Sequence, residues 1–179
     1  PPDRLLLGPG PSNVNQRVLQ AMTASLLGHL DPDFIGAMED VKEMLRLLFQ
    51  TNNPLTIPIS GTGSAGMEAA LVNILEPGDT IIVGVNGYFG ERITQIATRC
   101  NANVIRIDVD WGKPLDPSLV ETELKKTGPV KAIAMVHAET STGVLSPVRP
   151  IADLAHEHNS LIIVDTVTSL GGIEVAVDD

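Results

Sequence analysis

Cysteine occurs once in this sequence, at Cys100, so neither an intramolecular disulfide nor a cysteine-built zinc site can form within it. So little thiol use fits a cytoplasmic setting. Aromatic residues make up only 3% of the chain, which leaves the core to Val, Ile, Leu and Ala. That aliphatic palette belongs to parallel sheets covered by helices on both faces. Basic residues are outnumbered 12 to 22 by acidic ones, and they form no stripe or block. With a net charge of −10, no nucleic acid and no membrane surface is expected as a partner. No apolar run approaches the roughly 20 residues needed to cross a bilayer. The opening "PPDRLLLGPGPSN" lacks the basic flank and apolar core of a signal peptide. An initiator methionine is missing too, and the chain stops at "VAVDD" just after a strand-like run. The expectation is a segment of a longer protein.

What is present reads as an ordinary globular chain, 179 residues long and 43% hydrophobic, long enough for one domain with a real core. "LLLGPGPSN" predicts an extended Pro/Gly loop, and Val14, Val18 and Met22 a short helix. Asp31 followed by Pro32 reads as an N-cap and first turn, leading into a helix with Phe34, Met38, Val41, Leu45 and Leu48 on one face. Beyond "TNNP" strands and helices alternate. "LTIPI", "TIIVGV", "NVIRIDV", "VKAIAMVHA" and "SLIIVDTV" are the strands. "GSAGMEAALVNIL", "FGERITQIATRC", "DPSLVETELKKTG" and "PIADLAHEHN" are the helices between them. About five alternations signal an α/β fold with a mostly parallel sheet. Ligands of such sheets gather at the carboxyl ends of the strands. Those ends carry "SGTGS", "VNGYFG", "HAETSTG" and "DTVTSLGG", which are expected to converge on one crevice.

The stretch "SGTGSAG" places Gly61, Gly63 and Gly66 in a G-x-G-x-x-G pattern between a strand-like run and a helix. A dinucleotide site would also need an acid some 20 residues on, at the end of the next strand. That strand ends in "VGVNGYFGE", and Glu91 falls inside the following helix. A plain tight turn is the bland alternative, but Thr62 and Ser64 are interleaved with the glycines. Free N–H groups at a helix start beside two hydroxyls make a cup for a phosphate monoester. No G-x-S-x-G elbow supports a serine hydrolase. Of the histidines, His29 falls in a helix-edge segment, His156 and His158 read as solvated helix-face residues, and only His137 stands at a strand end.

In "LIIVDTVTSLGG", Asp165 directly follows four aliphatic residues at the end of a strand. A carboxylate there is expensive unless a cation or strong donors face it. A pyridinium nitrogen is such a cation; a magnesium ion or a structural N-cap role are the alternatives. Thr62, Gly63 and Ser64 for a phosphate, Phe89 ahead of Tyr88 to stack on a ring, and Asp165 for its nitrogen together suit pyridoxal 5′-phosphate.

The motifs "LLLGPGPSN", "SGTGSAGMEAALVNILEPGD", "VNGYFGER", "ETSTGVLSP" and "VDTVTSLGG" occur in an order that resembles the class V aminotransferases along essentially the whole chain. The resemblance implies a fold-type-I large domain, with a mostly parallel sheet and helices on both faces, incomplete at its C-terminal side. Residues 1–30 would form an N-terminal arm and loop, residues 31–179 the partial cofactor-binding domain, and a C-terminal small domain would lie outside the chain. It places the phosphate turn on Thr62, Gly63 and Ser64, and the stacking aromatic on Phe89. The polar group near the ring's O3′ and the substrate falls on Thr140, the ring-nitrogen aspartate on Asp165, and the small residue on the ring's other face on Val167. Gly8 and Gly10 are expected near the substrate, at a dimer partner's site. The implied reaction is reversible amino transfer from a small amino acid, alanine or serine, to a 2-oxo acid such as glyoxylate, in a homodimer. The family's Schiff-base lysine and substrate-clamping arginine would fall beyond Asp179. Lys113, Lys125, Lys126 and Lys131 precede Asp165 and match no such motif, so the chain alone is expected to be inactive.

Overall fold

The computed structural model describes residues 2–179. Helices α1 (Gln16–Ala21) and α2 (Pro32–Leu48) come first, then α3 (Gly63–Ile74). Next follow β1 (Thr80–Val85), α4 (Tyr88–Arg99), β2 (Asn103–Asp108), α5 (Pro117–Lys126) and β3 (Ala132–Val136). Two short strands, β4 (Ala138–Glu139) and β5 (Val144–Leu145), form a small antiparallel pair before α6 (Arg149–Glu157) and β6 (Leu161–Asp165). Local chemistry fixes the helix starts. Asp31 accepts a hydrogen bond from the Asp33 N–H, and Asp116 accepts one from Ser118, each with proline next in line. Asn15 caps α1 in the same way, starting the first helix two residues later than the apolar spacing from Val14 suggests.

The main sheet runs β2-β1-β3-β6, and every ladder in it is parallel. Strand alternation sorts the side chains onto two faces. Ile81, Val83, Val85, Ala132, Ala134 and Val136 point to one face, where Leu71 and Leu75 from α3 and its end and Ile93, Ile96 and Ala97 of α4 cover them. Ile82, Ile133 and Met135 point to the other, under Val120 and Leu124 of α5 and Ile151 and Ala155 of α6. The two edges of the sheet differ. Along β2, Arg106 bonds both Glu91 and Asp108, laying a charged network across that margin. Among the described residues, the outer side of β6 carries no partner strand.

Gly90 sets how closely α4 approaches the sheet. A Cβ there would lie 2.8 Å from the carbonyl oxygen of Gly84 and 3.0 Å from Cα of Val85, both main-chain atoms of β1. Gly90→Ala is expected to lower stability by about 1–3 kcal/mol, as over-packing does in other cores. Thermal unfolding of the variant beside the parent checks this.

"LTIPI" does not form the expected strand. Residues 55–59 lie outside every ladder, and Leu55, Ile57 and Ile59 are exposed. Their alternation satisfies a strand pattern, but no described strand lies alongside, and Pro58 has no N–H to give one. The same exposure extends through residues 2–50: Leu5, Leu7, Met22, Leu26, Leu30 and Leu47 all face solvent, and neither α1 nor α2 contains a fully buried residue. No helix among the described residues is long and apolar enough to cross a membrane.

Candidate functional site

The order of the main sheet reverses between β1 and β3, because the chain steps outward from β1 to β2 and then returns to build β3 and β6 on the other side. Such a switch point opens a crevice at the carboxyl ends of the two strands. "VNGYFG" and "HAETSTG" leave β1 and β3 there, and "DTVTSLGG" leaves β6 beside them, in register through Val136 and Asp165. The "SGTGS" turn joins them without a strand of its own. A Cβ on Gly63 would stand 3.1 Å from a Val167 methyl, so the glycine turn and the segment after Asp165 touch. Gly61 has φ +155°, and a Cβ on it would lie 2.8 Å from Cβ of Ala65. Only glycine fits comfortably there.

Two helix N-termini point into this region, and they differ. Tyr88, Phe89 and Gly90, the first three residues of α4, all have satisfied N–H groups. Tyr88 N–H donates to Oγ of Ser141 (2.9 Å), and Phe89 and Gly90 donate to Oε2 of Glu139 (3.1 and 3.3 Å). The other carboxylate oxygen, Oε1, accepts from the N–H (3.1 Å) and hydroxyl (2.7 Å) of Ser141. Glu139 is wholly buried, and its negative charge suits the positive end of the helix. Gly87 makes room for it, since a Cβ there would fall 2.3 Å from Cγ of Glu139. Helix α3 has no such plug. Thr62 at its N-cap makes no side-chain capping bond, its first turn holds no acid, and the Gly63 and Ser64 N–H groups donate to nothing among the described residues. Of the two starts, α3 is the one left open for an anion.

Asp165 lies two residues beyond Ile163, which packs on the α3/α4 face, so alternation turns the aspartate toward these same helices. It is half-buried, with Oδ1 accepting from the N–H of Val167 at 2.9 Å. The N-cap-like role weighed for Asp165 is therefore real, but it occupies one oxygen only. Burial pushes the carboxyl above the usual carboxylate range; the Val167 bond opposes this and the nearby charge of Glu139 adds to it. Among the described residues no Lys, Arg or His side chain forms a salt bridge with it. A desolvated acid facing a crevice without a cation is a fitting partner for a positively charged ring atom.

The other expected residues fall in various places. The Thr140 and Thr168 hydroxyls hydrogen-bond each other, tying the end of β4 to the segment after β6. Phe89 is half-buried against the core and meets Tyr88 edge-on, ring centres 5.3 Å apart. Val167 is 68% exposed. Gly8 and Gly10 lie on the exposed arm with open space around them. His137, at the strand end, has a buried Nδ1 without a partner among the described residues, and burial lowers its pKa. His156 and His158 are solvated, and Cys100 caps the far end of α4. Sequence reasoning missed Glu139, Ser141 and Arg92. The only signal was an acid and a serine two apart immediately after a buried strand.

A fit to pyridoxal 5′-phosphate follows from these observations: an open helix start with two hydroxyls for the phosphate, and a half-buried carboxylate without a cation for the ring nitrogen. Fold and crevice together define a doubly wound α/β ligand-binding domain. The chain belongs to the class-V aminotransferase family, which it matches over residues 4–179. It is 44% identical over 178 residues to the (S)-ureidoglycine–glyoxylate transaminase of Bacillus subtilis (strain 168), covering 99% of this chain and 42% of that protein. It is 42% identical over 177 residues to the alanine–glyoxylate aminotransferase of Mus musculus, with the same coverage. Among solved structures it superposes on an alanine–glyoxylate aminotransferase from Nostoc sp. with a TM-score of 0.95 and 48% identity, covering 99% of this chain and 47% of that one. The fold is accordingly the fold-type-I large-domain architecture. The chain spans less than half the length of these relatives.

Proposed function

We propose that this chain supplies the cofactor cradle of a pyridoxal 5′-phosphate-dependent aminotransferase that passes an amino group from a small amino acid, alanine or serine, to glyoxylate. The observation that carries this reading is Asp165, a desolvated carboxylate without a cation beside an uncapped, glycine-rich helix start. Both relatives compared above have names that include glyoxylate, which favours that acceptor. When bound, the cofactor supplies a protonated ring that draws electrons from a substrate carbon. The chain's own residues bind and tune it. Thr62, Gly63 and Ser64 would donate to the phosphate, and Phe89 and Val167 would hold the ring. Asp165 would keep the proton on the ring nitrogen. Thr140 would offer its hydroxyl to the ring oxygen and the substrate. Gly8 and Gly10 serve the substrate side from the arm, and a homodimer covers the apolar surface of residues 2–50.

The lysines of the chain suit holding rather than nucleophilic work. Lys42, Lys113, Lys125 and Lys126 each bond a carboxylate on the surface. Lys131 precedes β3, at the amino end of the sheet, opposite the crevice. The test uses the protein expressed from its complete gene. It is expected to bind pyridoxal 5′-phosphate and to convert glyoxylate to glycine at the expense of alanine or serine. After borohydride reduction, peptide mapping is expected to find the cofactor on none of these five lysines. Absence of cofactor binding, or label on any of the five, overturns the reading.

A further inference from the structure

We propose that Arg92 is a positioning residue that turns two hydroxyls into donors for the phosphate of the bound cofactor and makes the site select the phosphorylated form; this rests on the cofactor reading above. Arg92 lies in the second turn of α4, half-buried, and reaches across to α3. Its Nη1 donates to Oγ of Ser64 at 3.2 Å, and its Nη2 donates to the hydroxyl oxygen of Tyr88 at 2.8 Å. The guanidinium also lies over the Tyr88 ring, 5.4 Å from its centre.

The direction of these bonds carries the argument. Arginine only donates, so both hydroxyls accept from it, and neither proton has an acceptor among the described residues. Two O–H groups are thereby left free to donate, one of them on the second residue of α3, where the N–H groups are also free. The charge is uncompensated as well. Neighbouring Glu91 is taken by Arg106, Glu139 is committed to the start of α4, and no acid forms a salt bridge with Arg92 among the described residues. In a chain with 22 acids to 12 bases, a half-buried arginine bonded only to hydroxyls marks a place kept for an anion. A dianionic phosphate monoester fits three kinds of donor at once: main-chain N–H, hydroxyl and cationic field.

The test compares Arg92→Met and Arg92→Lys with the parent, all expressed from the complete gene, by titrating pyridoxal 5′-phosphate and, separately, pyridoxal, which lacks the phosphate. Arg92→Met is expected to weaken pyridoxal 5′-phosphate about 10- to 100-fold, the loss of a hydrogen-bonded charge, and to leave pyridoxal affinity unchanged. Inorganic phosphate is expected to compete with the cofactor in the parent and far less in the variant. Arg92→Lys keeps the charge and is expected to recover part of the loss. Equal weakening for both ligands means that Arg92 merely supports the fold, and unchanged affinity for both means that it does nothing for the phosphate; either overturns the proposal. A parent protein that binds neither compound removes the cofactor reading itself, and this inference with it.

Discussion

Replacing Asp165 with asparagine is expected to cut turnover by on the order of 10²-fold or more while leaving the ligand-free protein at least as stable as the parent. Asparagine keeps the oxygen that accepts from Val167, so the turn after β6 survives. What it removes is the charge that would hold a proton on the ring nitrogen. Stability moves the other way because burial raises the carboxyl above its ordinary range. For an acid so shifted, the folded state binds more protons than the unfolded state between the two pKa values, and stability falls as pH rises through that window. Above it, the parent carries the penalty of ionising a half-buried carboxylate and the variant carries none. The melting-temperature advantage of Asp165→Asn should therefore widen from acid to neutral pH and vanish below the unfolded carboxyl's pKa. Paired melting curves across pH, with turnover measured on the same preparations, check both halves. Unchanged turnover would falsify the assigned role.

The second large effect belongs to Glu139. Its two oxygens accept four hydrogen bonds, two of them from the first turn of α4, and solvent cannot replace them because the side chain is wholly buried. Glu139→Ala strands those donors, and unmet buried donors cost about 1–3 kcal/mol each where water cannot reach them. We expect a loss of about 3–5 kcal/mol, as when one partner of a buried charged network is removed. For a chain of this size that corresponds to a melting-temperature fall of roughly 10 °C. Gly87→Ala should resemble it, because the new methyl would occupy the place of the Glu139 side chain. Glu139→Gln keeps one acceptor oxygen and should lie between. A Glu139→Ala protein that melts with the parent would show that the cap contributes little.

These two residues also mark how much the sequence discloses. Asp165 was legible because its neighbours are: four aliphatic residues before it and a glycine-rich loop after it leave little doubt about strand, direction and end. Glu139 stood in an equally visible loop, yet its role depends on α4 starting across the crevice, some fifty residues earlier in the chain. Arg92 was hidden for the same reason, since its partner Ser64 lies 28 residues away. The caps at Asp31 and Asp116 were readable because donor and acceptor sit two residues apart. Residues 55–59 mark the opposite failure. Their alternation is right, but a strand requires a neighbour, and alternation cannot say whether one is present.

The two margins of the sheet give it a one-way character. Arg106, Glu91 and Asp108 guard the β2 side with fixed charge, which discourages an incoming backbone, whereas among the described residues β6 is paired on its β3 side alone. Growth of the sheet is thereby steered to one flank, next to Asp165. A preparation confined to these 179 residues should clump through that flank, and a short β-forming peptide or a lysine placed on β6 should keep it dispersed.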